Sequence, residues 1–491
     1  MGKVTSKYDG LDRLFIGGEW RPGSSEERSP DTNPFDGEIL TTFTLAGTED
    51  VDAAYAAAAA AQPAWASTGP GAREALMLRA VEVIDARHEE LVEWLIAESG
   101  STRLKAEIEL SAVRAVTLEA ASFPYRASGE IVASDVPGKE NRVYRSPLGV
   151  VAVISPWNFP MILTQRSVAP ALALGNAVVV KPASETPITG GLLHAKIFEE
   201  AGLPEGVLSV IAGRGTVIGD YVVAHQVPKL ISFTGSSEVG RRIGAIAMGG
   251  AHIKRVSLEL GGNSPLVVLD DADLEQAVNA AIVGRFLHQG EICMSTNRVV
   301  VDAKMYDEFL DRFVPRVKAL KCGNPNEPDT VIGPIINQDQ IHALLEQIEV
   351  ARADGARELL SGEPNGLVMP PHIFADVTTD MKIAQQEIFG PMVTVFKANG
   401  DEDAQRIANA TEYGLSSAVF SSNERRALNF ALGVEAGMTH INDITVSDSA
   451  YNPFGGEKNS GIGRFNAEWV IEELTRDHWI TIQHTPKRYP F

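Results

Sequence analysis

Between Leu148 and Asp270 the chain repeats one pattern, and that pattern limits its fold more than anything else in the sequence. Short apolar runs ("LGVVAVISPW", "NAVVVKPA", "GVLSVIAG", "KLISFTG", "SPLVVLD") are each closed by Gly, Pro or polar residues, and helical segments lie between them. Runs with no polar alternation belong to strands covered on both faces, and strands separated by helices form βαβ units. The expected fold is α/β on a buried parallel sheet, with ligands at the carboxyl ends of its strands. A second α/β block runs from about 260 to 460 and includes "AKMYDEFLDRFVPRVKALK". A length of 491 residues calls for two or three domains.

The ends of the chain read differently. Residues 1–50 are turn-rich, with short β-type runs such as "RLFIGGEW". From Thr48 the texture is helical: "EDVDAAYAAAAAAQPAW" and "REALMLRAVEVIDARHEELVEWLIAESG" keep apolar residues three and four apart until Gly100. The tail "HWITIQHTPKRYPF" alternates like an edge strand. A lone terminal strand of that kind predicts pairing with a neighbouring subunit, hence a homodimer or homotetramer.

Charge and cysteine usage narrow the partners. A net charge of −21 argues against nucleic acid and against an anionic membrane surface, since either would need a basic patch. The longest apolar stretch, Val168 to Val180, is broken by Pro170, Gly175 and Asn176 and falls short of the roughly 20 residues a membrane span needs. Two cysteines cannot build a disulfide framework, so a reducing cytoplasm is the expected setting. No CxxC or HExxH spacing marks a metal site, so no metal is expected. The opening residues lack the apolar run of a signal peptide, and Gly2 with Ser6 fits an acylation pattern only loosely.

Generic nucleotide motifs are weak here. The nearest string to GxGxxG, "GRGTVIG" at 213–219, has one residue too many, and there is no Walker A string. A better hint is "FTGSSEVGRRIG", where a strand ends in Thr-Gly-Ser-Ser and a helix begins, so that backbone N–H groups and the helix dipole face an anion. One cysteine, Cys293, stands in "HQGEICMSTNRVVV" between Gly-Glu and small polar residues. By itself that setting suits inert packing.

Seven motifs taken together change the reading. "SPWNFP" (155–160), "KPASETP" (181–187), "FTGSSEVG" (233–240), "LELGGNSP" (258–265), "GEICMSTNR" (290–298), "QEIFGP" (386–391) and "NPFGGEKNSGIGR" (452–464), in this order, resemble the NAD(P)-dependent aldehyde dehydrogenase superfamily. The resemblance implies a variant Rossmann cofactor domain (1–124 and 148–258), an α/β catalytic domain (259–459) and a small β oligomerisation arm made of bridging segments (125–147 and 460–491). It implies Cys293 as nucleophile, forming a thiohemiacetal and then a thioester. It implies Glu259 as the base that activates water, a role suited to a carboxylate leaving an apolar strand at a Gly-Gly turn. Asn158 is the implied oxyanion donor together with the backbone N–H of Cys293. For the family's second, C-terminal glutamate the count from "NSGIGR" arrives at Arg476, so the base role rests on Glu259 alone.

The implied cofactor contacts are Ile154, Ser155, Pro156, Trp157, Lys181, Ser184, Gly213, Phe233, Gly235, Ser236, Val239, Leu260, Gly261, Glu387 and Phe389. Many NAD-preferring members carry Glu three residues after the Lys. Ser184 stands there instead, with Glu185 one place on, so NADP is expected to be accepted as well as NAD. Phe159, Met161, Arg166, Ile292, Met294 and Phe454 are the implied substrate tunnel, apolar and suited to a flat ring, with Arg166 free to meet a polar substituent or a structural carboxylate. "NPFGGEKNSGIGRF" and "WITIQ" look like the benzaldehyde, vanillin and salicylaldehyde branch, so the expected small-molecule partner is an aromatic aldehyde. The alternatives are a succinic-semialdehyde or aliphatic enzyme and, in another class, a non-redox cysteine esterase or hydrolase. An esterase leaves "FTGSSEVG" and "KPASETP" unexplained, and retention of Glu259 argues against transfer of the acyl group to CoA.

Overall fold

The computed structural model describes residues 6–491, so Gly2 of the acylation pattern lies outside the described residues. The five apolar runs become strands of two sheets. In the first sheet, parallel strands stand in the order Leu208–Val210, Ala177–Lys181, Val150–Ile154, Leu230–Thr234, Arg255–Glu259. Val151, Ala152, Val178, Val179, Val180 and Ile231 are all fully buried, as polar-free runs require. The chain winds outward from Val150–Ile154 through two strands, then crosses back to add the other two on its far side. Ser155–Asn158 and Gly235–Ser236 leave the sheet at the resulting switch point, where open α/β sheets take ligands. Leu14–Ile16 and Gly461–Ile462 add antiparallel edges, and Glu19–Arg21 pairs outside Leu14–Ile16.

The second sheet runs Arg357–Leu360, His372–Ala375, Met392–Ala398, Thr296–Asp302, Ser264–Val268, Ser416–Phe420, Met438–Ile441, and only its first strand is antiparallel. The chain passes from the first sheet, ending at Glu259, to the second, beginning at Ser264, through Leu260–Asn263 alone.

The long helical texture divides into Thr48–Ala66, Pro70–Ala86, His88–Ser99 and Arg103–Ala120, with Gly100 left-handed (φ 65°) at the break before the last. Arg103–Ala120 packs against Pro160–Ala173, a helix buried at every position. Among the described residues no helix is long and apolar enough to cross a membrane.

The tail strand is not alone. Thr475–Gln483 pairs along its whole length with Lys139–Pro147 of the same chain, which in turn pairs with Glu130–Val132. The expectation of an isolated strand is therefore corrected: sequence pattern shows an edge but not an internal partner more than 300 residues away. Within the segment expected to bridge, 460–491, Gly461–Ile462 extends the first sheet and Ala467–Leu474 packs on Pro160–Ala173; only from Thr475 does the chain join the arm.

Candidate active site

Residues from several of these motifs, Asn158, Gly261, Gly262, Cys293 and Glu387 among them, meet where the two sheets abut. After the helix Leu274–Phe286 the chain reverses through three left-handed residues in succession, His288 (φ 49°), Gln289 (φ 53°) and Gly290 (φ 78°). Such a conformation costs about 1–2 kcal/mol at each non-glycine position, so something must hold it. Gln289 donates to the Pro334 carbonyl (2.8 Å) and accepts from the Gly333 N–H (3.1 Å), while the Glu291 carboxyl accepts from the Ile336 N–H (3.2 Å). The buried guanidinium of Arg285 donates to the carbonyls of Ile388 (2.9 Å) and Gly390 and to the Asn297 amide oxygen. The reversal presents Cys293 from a loop just before the strand Thr296–Asp302.

The Cys293 thiol lies in the wall of an apolar cavity of about 340 Å³. Although it opens on that space, burial of its surroundings, then Glu387 and Glu259, push the thiol up to about 12. The Met294 backbone N–H acts in the opposite sense. A thiol of this kind is not ionised at neutral pH by itself and needs a proton acceptor. Glu259, only 2% exposed, has both carboxyl oxygens without a hydrogen-bond partner. Burial raises it well above the usual carboxylate range, against the pull of Arg166 and Arg464. Asn158, also buried, donates one amide hydrogen to the Glu291 carbonyl (2.9 Å), which fixes the side chain and leaves its second N–H for another acceptor.

Two glycines let these parts meet. A Cβ on Gly262 would lie 2.1 Å from the Cys293 carbonyl oxygen, and one on Gly261 would lie 2.5 Å from a Glu387 carboxyl oxygen. The other Glu387 oxygen accepts the Gly262 N–H (2.8 Å), and burial pushes Glu387 up to about 7.

The residues at the carboxyl ends of the first sheet's strands have the chemistry of a dinucleotide site, and a small second pocket opens beside them. Ala183, Ser184, Gly213 and Arg214 line it beside Asp31 and Phe43. Lys181 is buried with the Pro182 carbonyl (2.9 Å) as its hydrogen-bond partner, and burial lowers it to about 8, so two ammonium N–H groups remain for a ligand. Ser184 is exposed and Glu185 half-buried. Ser236 caps the helix Ser237–Gly249 through the Val239 N–H (3.3 Å), and both Ser236 and Val239 are exposed. Gly235 lies so close to the Phe233 ring that a Cβ would meet it at 2.5 Å, and Leu260 presses on Gly240 in the same way (2.3 Å). Ile154, Ser155 and Pro156 lead from the central strand to Trp157, whose ring meets Phe389 edge-on at 5.3 Å between centroids.

Phe159, Arg166, Ile292, Met294 and Phe454 line the cavity. Met161 does not: it is fully buried in the core, because the helical turn after Pro160 points Ile162 and Leu163 at the cavity in its place. Arg166 pairs with Asp448 and lies 4.1 Å from the Phe454 ring centroid, with Nε and Nη1 left without a partner. Arg476 is exposed in the arm, opposite Ser146, whereas the ring centroid of Phe465, directly after Arg464, lies 5.9 Å from the Arg166 guanidinium. Sequence reasoning passed over Leu104, Ile108, Glu109, Val283, Ile444, Val446, Ser447 and Asp448 in the cavity wall and the buried Lys105 behind it. Lys105 and Glu109 sit four apart on a helix, a spacing that normally marks a solvated ion pair.

A family model described as aldehyde dehydrogenase family matches residues 20–480, and the chain belongs to that family. It is similar to a vanillin dehydrogenase of Corynebacterium glutamicum, 54% identical over 484 residues that cover 98% of this chain and 100% of the relative. Among solved structures it is similar to an NAD-dependent benzaldehyde dehydrogenase from Corynebacterium glutamicum (TM-score 0.91, 51% identity, 99% of each chain). A salicylaldehyde dehydrogenase from Pseudomonas putida G7, complexed with salicylaldehyde, superposes with TM-score 0.95 at 38% identity, covering 98% of this chain and 99% of the other.

Two outcomes follow from this geometry. Gly262→Ala must push the Cys293 carbonyl aside, so thermal melting should show a loss of about 1–3 kcal/mol and turnover should fall with it; an unchanged Tm and rate would contradict the close approach. Burial also raises Glu291, to about 8. A carboxyl raised on folding gives stability that is complete below its unfolded pKa and lost as pH rises through the folded value. Tm should therefore fall between pH 5 and pH 8, and fall less in Glu291→Gln.

Proposed function

We propose that the protein oxidises an aromatic aldehyde to its carboxylic acid with NAD as cofactor, and that it accepts NADP. The observation that carries this reading is the apolar cavity lined by the Cys293 thiol and the Asn158 amide, with the buried, unpartnered Glu259 carboxyl near enough to act on the thiol. The likeness to enzymes for vanillin, benzaldehyde and salicylaldehyde supports the ring-shaped substrate. The segment 1–124 with 148–258 would bind the dinucleotide, and 259–459 would supply the nucleophile. Lys181, Ser184, Gly213, Phe233, Gly235, Ser236 and Val239 would hold the adenosine and phosphates. Ile154–Trp157, Leu260, Gly261, Glu387 and Phe389 would hold the nicotinamide riboside against Cys293. The arm's exposed Ile131 and Trp479 support a homodimer or homotetramer, and two unpaired cysteines suit a reducing cytoplasm.

In this mechanism Glu259 takes the thiol proton and the Cys293 sulfur forms a bond to the aldehyde carbon. The carbonyl oxygen becomes an alkoxide, held by the free Asn158 N–H and the Cys293 backbone N–H. A bound oxidised nicotinamide would supply the hydride acceptor, and loss of hydride from this carbon would leave a thioester on Cys293. Glu259 passes its proton out and takes another from a water that attacks the thioester; the acid leaves and the thiol is restored. Arg166, with Nε and Nη1 unpartnered beside Phe454, would offer its N–H groups to an oxygen substituent on the ring.

Benzaldehyde, vanillin, succinic semialdehyde and hexanal, each with NAD and NADP, test the reading by absorbance at 340 nm. Aromatic substrates should exceed the other two by at least about 10-fold in kcat/KM, roughly what a pocket contact of 1–3 kcal/mol gives; equal rates would remove the aromatic assignment. Ser184→Glu should abolish NADP use and keep NAD use, and wild-type protein inert with NADP would overturn the Ser184 argument. Glu259→Gln should form one equivalent of reduced cofactor per active site, more slowly than wild type because the thiol has lost its nearby proton acceptor, and then stall, because deacylation lacks its base. Undiminished steady turnover in that variant would take Glu259 out of the mechanism.

A further inference from the structure

Behind the cavity wall lies a charged pair that the mechanism above does not use. Lys105 and Glu109, on the helix Arg103–Ala120, are both buried and form an ion pair of 2.5 Å. Taking two charges out of water costs several kcal/mol per ion, and apolar residues of similar size commonly stabilise a fold as well or better. The placement of this pair is more informative than its stability. We propose that Lys105 is a positioning residue for the reaction, holding Asn158 beside the reacting carbonyl oxygen through Phe159 and Glu109; the inference rests on the role given to Asn158 above.

The contacts surround a two-residue segment. Glu109 turns one carboxyl oxygen to Lys105 and the other to the N–H groups of Met161 (2.8 Å) and Ile162 (3.2 Å), the first turn of Pro160–Ala173. That helix has Phe159 at its N-cap and no capping side chain, so Glu109 supplies the missing acceptor and a charge that suits the helix dipole. The Lys105 ammonium lies 4.2 Å from the centroid of the Phe159 ring, and His288 meets the same ring edge-on at 5.4 Å. Asn158, one residue earlier, is tied on its other side to the Glu291 carbonyl. Removing the cation leaves Glu109 an unpaired buried carboxylate and frees the Phe159 ring, so the segment that carries the oxyanion donor can shift. A displacement of about 1 Å near a reacting atom can cost up to about 100-fold in rate.

The test is a double-mutant cycle between Lys105→Met and Asn158→Ala, with KM, kcat, Tm and NAD binding in the absence of aldehyde. Lys105→Met should bind NAD as wild type does and lose about 10- to 100-fold in kcat. Asn158→Ala should cost about 100- to 1000-fold in wild-type background, but less than about 10-fold once Lys105 is gone, because coupled residues do not add. Multiplicative losses, or an unchanged kcat in Lys105→Met, overturn the proposal. If Asn158→Ala alone leaves kcat intact, the mechanism itself fails and this inference falls with it. If Lys105→Met does not fold, Lys105→Met/Glu109→Gln replaces it, because the glutamine carbonyl still accepts from the helix. That variant should regain Tm while kcat stays at least about 5-fold down, a residue of the misplacement above. Recovery of kcat together with Tm assigns the pair to the fold and overturns the proposal.

Discussion

The whole arrangement depends on a backbone crossing that leaves no room for a side chain at two positions, Gly261 and Gly262. Between Glu259 and Ser264 the chain passes from one buried parallel sheet to the other, with Gly261 against the Glu387 carboxyl and Gly262 against the Cys293 carbonyl. Each sheet brings its own groups to this seam. The first contributes the Asn158 segment, Gly235–Ser236 and the carboxyl at its last strand's end; the second contributes the thiol and, through the Arg285 contacts, the loop carrying Glu387 and Phe389. A methyl group at either glycine would separate them. Rigid strands on both sides turn that closeness into fixed geometry, which a site on free loops could not hold.

The second feature of the seam is that its titratable groups are buried. Burial pushes the thiol, Glu259, Glu291 and Glu387 the same way, toward the protonated form. Burial of this kind keeps the thiol protonated and makes the Glu259 carboxylate, where ionised, a stronger acceptor for the thiol proton in the proposed mechanism. Burial also strengthens a dipole aimed at developing charge, because its surroundings screen it less than bulk water would. Left-handed His288 and Gln289 and several buried carboxyls are costs in fold stability that this arrangement carries.

Much of this was legible in the chain. Polar-free runs pointed to buried parallel strands, though not to the fact that "SPLVVLD" starts a second sheet, and seven short motifs marked residues of the seam. What could not be read was whatever depends on facing direction or distant pairing. Met161 and Ile162 differ by one helical step, which decides core or cavity. Lys105 and Glu109 spell an exposed ion pair until another helix is known to cover them. Arg166 has no meaning in sequence until Asp448, Phe454 and Phe465 close around it. The tail strand shows its alternation but not Lys139–Pro147.

At the centre of this picture is a covalent bond between the substrate's acyl carbon and one sulfur. Turnover of benzaldehyde with NAD by Glu259→Gln protein, quenched in acid and digested, can be followed by mass spectrometry of the cysteine peptides. The peptide containing Cys293 should carry a benzoyl group that is absent when NAD is omitted, with the Cys322 peptide unmodified. Reduced cofactor formed with no acyl group on Cys293, or an acyl group found on Cys322, would contradict it.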